Sequence, residues 1–257
     1  LRFIDSRFQF KKLENQHIIV RVATPDDIHY SNTITDEMES SAKARGTGIA
    51  KRSPAYVELK MMEGKAVIAV TDKGEWVGFC YIEAWGHEKF VANSGLIVNP
   101  AFRGHGVAKS IKVKIFELSR KKYPDAKIFG LTTGLAVMKI NSDLGYEPVT
   151  YSELTDDEEF WKGCQSCVNF DILTGKGRKN CLCTAMLYDP VEKAKEEEEK
   201  AKKIAEEKNK LSVTSIGSSG REERKRRRFK GNFKLFERWV RFKRYVLLKS
   251  TRRDGSG

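Results

Sequence analysis

One segment limits the architecture of this chain more than any other: Gly95-Leu-Ile-Val-Asn-Pro-Ala-Phe-Arg-Gly-His-Gly-Val-Ala-Lys-Ser-Ile. An apolar run ends at Pro100, which has no N–H to give a sheet ladder, and glycines at 104 and 106 then open an apolar helical stretch from about Val107. Glycine lets the backbone turn tightly and come close to a ligand, while the unpaired amides of a first helical turn point outward with the positive end of the helix dipole. The segment therefore predicts a strand, a loop and a helix that together hold an anion, and a phosphate or pyrophosphate suits it. Two common nucleotide loops do not fit. Gly104-His105-Gly106 is followed by Val-Ala-Lys rather than x-x-Gly, and no Gly-Lys-Ser/Thr closes the loop.

The flanking sequence predicts one α/β unit over residues 17–190, preceded by a short extension over 1–16. Ile18 to Ala23, Ala66 to Thr71, Trp76 to Trp85, Phe90 to Val98 and Lys127 to Thr133 are rich in β-branched and aromatic residues and read as strands. Thr24-Pro25-Asp26-Asp27 sets a helix start, followed by Ile28, Ile34 and Met38 at roughly helical spacing. Ser53-Pro54 repeats the device before Tyr56, Val57, Leu59 and Met61. The resulting order is strand, two helices, a meander of three strands, helix, strand, helix and more strand, a mixed layer fold.

Net charge would mislead if taken whole. The chain carries +13, but positions 191–257 hold 22 Lys and Arg against 11 Asp and Glu, so positions 1–190 carry 26 against 24, a net of only +2. Basicity belongs to an appendage. Residues 191–220 read as a charged helical spacer with a Ser/Gly joint, and residues 221–257 as a basic amphipathic helix whose Leu235, Phe236, Trp239, Val240, Phe242, Val246 and Leu247 share a side. That tail suits docking on a protein surface, then an anionic membrane surface, with nucleic acid the least favoured of the three. No apolar run approaches the roughly 18 residues of a spanning helix, and the opening LRFIDSRF lacks a secretory pattern, so a cytoplasmic location is expected.

The glycine loop resembles the acyl-CoA pyrophosphate loop of the GNAT N-acetyltransferase superfamily, whose Arg/Gln-x-x-Gly-x-Gly/Ala pattern reads here as Arg103-Gly104-His105-Gly106-Val107-Ala108. Val98-x-Pro100-x-Phe102 upstream and Leu144-Gly145-Tyr146-Glu147-Pro148-Val149 downstream extend the resemblance over about Ile18 to Tyr188. It implies a mostly antiparallel central sheet flanked by helices, with acetyl-CoA or another acyl-CoA as donor. Residues 104–108, with Arg103, would hold the pyrophosphate, and the backbone of Leu96, Ile97 and Val98 would pair with pantetheine.

Acyl transfer to an amine further needs a base, a donor to polarise the carbonyl and an acid for the leaving thiolate. Glu83, with His87 and Glu88 nearby, stands where family members commonly carry a carboxylate, and Asn93 and Ser94 offer polarising donors. Where the family often places a Tyr as the acid, this chain has Asn141, which can donate a hydrogen bond but has no proton to give up. The loop Lys43-Ala-Arg45-Gly-Thr-Gly48-Ile-Ala-Lys51-Arg52-Ser-Pro54 brings cations that suit an acidic acceptor read by Arg45, Lys51 or Arg52. The body is also similar to a GNAT branch of arginine synthesis that acylates the amino group of glutamate.

Cys164-x-x-Cys167 and, thirteen residues on, Cys181-x-Cys183 leave Cys80 alone in a strand. The paired spacing suits a structural zinc held by four thiolates, with buried reduced thiols and redox or disulfide chemistry as the alternatives, and Phe170, Leu182 and Met186 suggest that part of the segment packs as strand. Three whole-protein readings follow: an acyltransferase acting on a small acidic amine, a protein N-acetyltransferase recruited by its tail, and an inactive adaptor of the same fold. A homodimer is compatible with each.

Overall fold

A computed structural model describes residues 17–46 and 52–213, and the extension 1–16, Lys51 and the tail 221–257 lie outside the described residues. The chain divides into two units, Leu1–Ile204 and Ala205–Gly257, and the first contains the whole sheet.

In chain order the first unit runs β1 (Ile18–Val22), a 3-10 turn (Pro25–Tyr30), α1 (Ser31–Arg45), α2 (Pro54–Met62), β2 (Ala66–Thr71), β3 (Trp76–Trp85) and β4 (Phe90–Val98). Then follow α3 (Val107–Lys122), β5 (Lys127–Thr132), α4 (Leu135–Asp143), β6 (Glu147–Val149), α5 (Glu158–Lys162), α6 (Phe170–Gly175) and β7 (Thr184–Tyr188), and α7 (Pro190–Val213) runs on from them. The seven strands form one sheet in the order β1-β2-β3-β4-β5-β7-β6. Every neighbouring pair is antiparallel except β4 and β5, which α3 connects in parallel. The mixed, mostly antiparallel α/β fold expected from the sequence is present.

Alternation along β3 assigns the two faces of the sheet. Cys80 and Ile82 join Val107, Ile111 and Ile115 in the core beneath α3. Phe79 and Tyr81 point the other way, into a core with Ile34, Met38, Val57 and Met61 of α1 and α2. On that second face, around β5 and β7, Phe129, Tyr151, Trp161 and Leu187 build a third cluster, and Cys164, Cys181 and Cys183 pack on it.

Two local details depart from expectation. Thr24 and Asp27 do form a capping box, but it opens the 3-10 turn, and α1 begins only at Ser31. The six-residue step from Ile28 to Ile34 is too long for one helical stripe, and Ile28 is left exposed while Ile34 and Met38 are buried. The segment expected to pack partly as strand around Phe170 and Leu182 is helical at Phe170–Gly175, and Leu182 is exposed. No described helix is long and apolar enough to cross a membrane.

Candidate active site

β4 organises the site in two ways. Against β3 its register slips: Ile97 faces Phe79 and Ser94 faces Tyr81, so Gly95 and Leu96 together oppose Cys80. This is a bulge, and its extra residue leaves backbone groups out of the ladder. Gly95 adopts φ +65°, and a Cβ there would stand 2.2 Å from Tyr81 Cε1, so both the backbone and the packing require glycine. Against β5 the pairing covers only Phe90, Val91 and Ala92 with Lys127, Ile128 and Phe129. β5 continues with β7 as far as Thr132, so beyond Ala92 β4 and β5 part and the sheet opens between them.

The glycine loop follows directly. Gly104 and Gly106 have φ +84° and +78°, and a Cβ on either would meet nothing within 4 Å. Conformation demands these glycines, and the space in front of them is clear. Gly106 caps α3 without a side-chain partner and the first turn holds no acid, so the early amides of the helix are left for an anion. Arg103 does not point there. Its Nε donates to Val98 O at 2.9 Å, and one terminal nitrogen reaches Glu37 Oε1 and Ser41 Oγ at 2.8 and 2.6 Å. Arg103 therefore holds the loop to α1, which supports the cradle from behind.

Glu83 lies buried on the α1/α2 face, next to Ala92 of β4. The Tyr56 hydroxyl donates to its Oε1, and an Arg52 terminal nitrogen is 3.3 Å from the same oxygen. Arg52 Nε donates to Tyr81 OH at 2.8 Å, and its guanidinium carbon lies 5.2 Å from the Tyr56 ring centroid. Burial first, and then the Glu83 charge, raise the pKa of Tyr56, so it stays protonated as a donor. A cavity of about 310 Å³ opens here, lined by Arg52, Ser53, Tyr56, Glu83, Trp85, Glu159 and Gly163. Carboxylates and a cation share it, which suits a ligand with both an amine and an acid. His87 and Glu88 sit at the β3–β4 hairpin with φ 55° and 65°, as turn residues.

Other expected residues are placed differently. Asn93 turns toward α3: its Nδ2 donates to Ser119 Oγ at 2.8 Å, and its Oδ1 accepts from Tyr146 OH at 3.0 Å. Both ends of its amide are engaged. Asn141 is buried in the last turn of α4, with Nδ2 3.8 Å from Met186 Sδ and Oδ1 lacking a partner among the described residues. Arg45 ends α1, and Arg52 is the acceptor-side cation whose contacts are visible. Sequence reasoning missed Tyr56, Tyr81 and Lys112. The signal for Lys112 was present: it stands on the inner stripe of α3 where an apolar residue belongs, and it is buried.

The zinc expectation needs correction. Among the described residues, no three His, Cys, Asp or Glu side chains converge to hold a metal ion, and all five cysteines are free. Cys164, Cys181 and Cys183 are spent on apolar packing. Burial first, and then the neighbouring cysteines, push the thiols of Cys164 and Cys183 up to about 11 and about 12.

The opened sheet, the bulge and the glycine loop at the start of α3 thus lie along one strand of this α/β domain. This chain matches the acetyltransferase (GNAT) family over residues 35–134. Its fold is similar to N-acetylglutamate synthase from Neisseria gonorrhoeae complexed with coenzyme A and N-acetyl-glutamate, at 15% identity and a TM-score of 0.48, over 67% of this chain and 35% of that one. It is also similar to Rv2747 from Mycobacterium tuberculosis in complex with CoA and NLQ (18%, TM-score 0.48, 66% and 98%). A third similar structure is yncA from Salmonella typhimurium with acetyl-CoA (14%, TM-score 0.46, 68% and 94%). This chain thus spans about a third of the length of the Neisseria enzyme. No curated protein matches it.

Proposed function

We propose that the body is an acyl-CoA-dependent N-acyltransferase that moves an acetyl or succinyl group to a primary amine, the amino group of glutamate or a related acidic amino acid of arginine biosynthesis. The observation that carries this reading is the parting of β4 from β5 after Ala92 and Phe129, on the strand that leads straight into the open Gly104–Gly106 cradle. The residues fit an acyl-CoA: the glycine loop and first turn of α3 suit a diphosphate, and the β4 edge beyond its last pair with β5 suits an amide-bearing arm. When bound, that donor supplies an activated acyl group.

The chain's own residues then divide the work. The amides that follow Arg103 bind phosphate, and the Leu96–Val98 backbone orients the arm. Unpaired backbone N–H at the bulge donates to the carbonyl oxygen as charge grows on it. Glu83, held by Tyr56 and Arg52, removes the proton of the amine, directly or through one water. Arg52, with the cations of the preceding loop, favours an acceptor that carries a carboxylate. The spacer and tail then act apart from catalysis, in docking, and the location is cytoplasmic.

CoA-thiol release over a panel of amines tests this reading. Turnover with glutamate or a close relative supports it. Turnover of polyamines or aminoglycosides with none of glutamate removes the acidic acceptor, and acyl-CoA binding without turnover of any amine favours the adaptor.

A further inference from the structure

We propose that Lys112 serves the departing sulfur: its Nζ, linked through Tyr146 to Asn93 just past the last β4–β5 pair, passes a proton to the CoA thiolate as the acyl group leaves. This rests on the acyl-CoA reading above and assigns a residue to the step that Asn141 cannot perform.

Lys112 is the only buried Lys or Arg among the described residues, with 2% exposure. A buried ammonium costs free energy unless something compensates it. No described carboxylate pairs with it, and its Nζ lies instead 5.3 Å from the Tyr146 ring centroid. Tyr146 OH donates to Asn93 Oδ1, and Asn93 Nδ2 donates to Ser119 Oγ, two turns along α3 from Lys112. Asn93 is the first β4 residue past the last β4–β5 pair. The ammonium is thus anchored where the sheet opens. Cys80, the β3 residue opposite the bulge, lies on the same side and donates its thiol to Ser94 O at 3.3 Å.

The titratable groups facing Lys112 are Cys80 from β3 and Tyr146 from the turn before β6. Burial holds both neutral, pushing Cys80 to about 11 and Tyr146 well above its ordinary value. Nothing anionic neutralises Lys112, and burial lowers its own pKa, which makes its ammonium a readier proton donor. A sulfur carrying negative charge is the partner this position lacks.

The step balances. As the acceptor nitrogen bonds to the carbonyl carbon, the C–S bond breaks with its electron pair on sulfur. Lys112 Nζ gives that sulfur a proton and regains one from solvent, while Glu83 takes the proton shed by the nitrogen. The products are an amide and free CoA thiol.

The test uses CoA and desulfo-CoA with the full chain, wild type and Lys112→Met. Thiolate absorbance of bound CoA followed against pH should show the thiol ionising about one pH unit or more below free CoA in the wild type, and this shift should vanish in the variant. The variant should bind desulfo-CoA as the wild type does, lose about tenfold in preference for CoA over desulfo-CoA, and turn over about 10²-fold more slowly. Bound thiol in the wild type titrating like free CoA would overturn the inference without any variant. So would Lys112→Met turnover within about threefold of wild type, set against that expected loss. If the wild type binds CoA but shows neither effect, this inference alone falls; if it binds neither CoA nor desulfo-CoA, the acyl-CoA reading falls and takes it along.

Discussion

Arg103 and Glu37 form a 2.8 Å salt bridge that ties the glycine loop to the middle of α1. The same guanidinium also holds Val98 O, so strand end, loop and helix are pinned by one side chain. Replacement by Ala should raise the KM for acyl-CoA more than it lowers kcat, because the cradle loosens while the reacting groups stay put. Arg103 is partly exposed, so thermal unfolding should move little, in keeping with the ~0–1 kcal/mol typical of such pairs. A variant with normal KM would show that the loop keeps its shape unaided.

Glu83 is expected to be the proton acceptor, so Glu83→Gln should lower kcat by about 10²-fold or more while leaving acyl-CoA affinity near the wild-type level. Arg52→Lys keeps the charge but cannot serve Tyr81 and Glu83 with two separate nitrogens, and a loss in kcat/KM is expected there as well. Steady-state kinetics beside isothermal titration with CoA separates the two effects, and full activity of Glu83→Gln would move the base elsewhere.

Gly95 and Gly106 share a left-handed backbone but differ in surroundings, which separates packing from conformation. Gly95→Ala drives a methyl into the buried Tyr81 ring, and overpacking plus strain should cost about 2–4 kcal/mol in urea unfolding. Gly106→Ala meets no protein atom within 4 Å and should cost only the conformational part, about 1–2 kcal/mol, while weakening acyl-CoA binding strongly. Equal destabilisation of the two variants would contradict the crowding seen at the bulge.

Asp27 predicts an acid limb in stability. Burial would raise the pKa of its carboxyl, but hydrogen bonds from Arg21 at 2.6 and 2.7 Å and from the Thr24 amide outweigh burial and hold it below the ordinary value. A depressed folded-state pKa stabilises the fold above the unfolded pKa of about 3.9, and this is lost as pH falls through the folded value. The gap in unfolding free energy between wild type and Asp27→Asn should therefore be full at neutral pH and shrink below about pH 4. A constant gap down to strongly acidic pH would exclude the linkage.

Cys80 is fully buried and its thiol is raised to about 11, so it should resist alkylation in the native protein and react only on unfolding. Mass spectrometry after iodoacetamide labelling at neutral pH, with and without denaturant, reads this directly. Rapid native labelling at Cys80 would mean that β3 opens far more readily than its core packing implies.

Strands β2, β3 and β4 were legible because their apolar, β-branched runs are long and end at turn residues or at Pro100. The glycine cradle was legible for a related reason: positive φ leaves a mark on the residue type itself. The first helix was misread at its start because a capping box says where a turn begins but not whether it continues as 3-10 or α. The cysteine pairs were legible as spacing and misleading as chemistry, since spacing does not report whether sulfur atoms converge or pack.

Local sequence, acting through backbone preference and apolar periodicity, was enough to specify the order of elements, the fold class and the glycine loop before α3. Which side chains face each other was settled by register and packing between segments far apart in the chain. The slip that sets Gly95 and Leu96 against Cys80, the departure of β4 from β5, the commitment of Arg52 to Glu83 and the burial of Lys112 beside Tyr146 are all of that kind. Each depends on distances between residues tens of positions apart, and such distances exist only once the sheet has closed around its two cores.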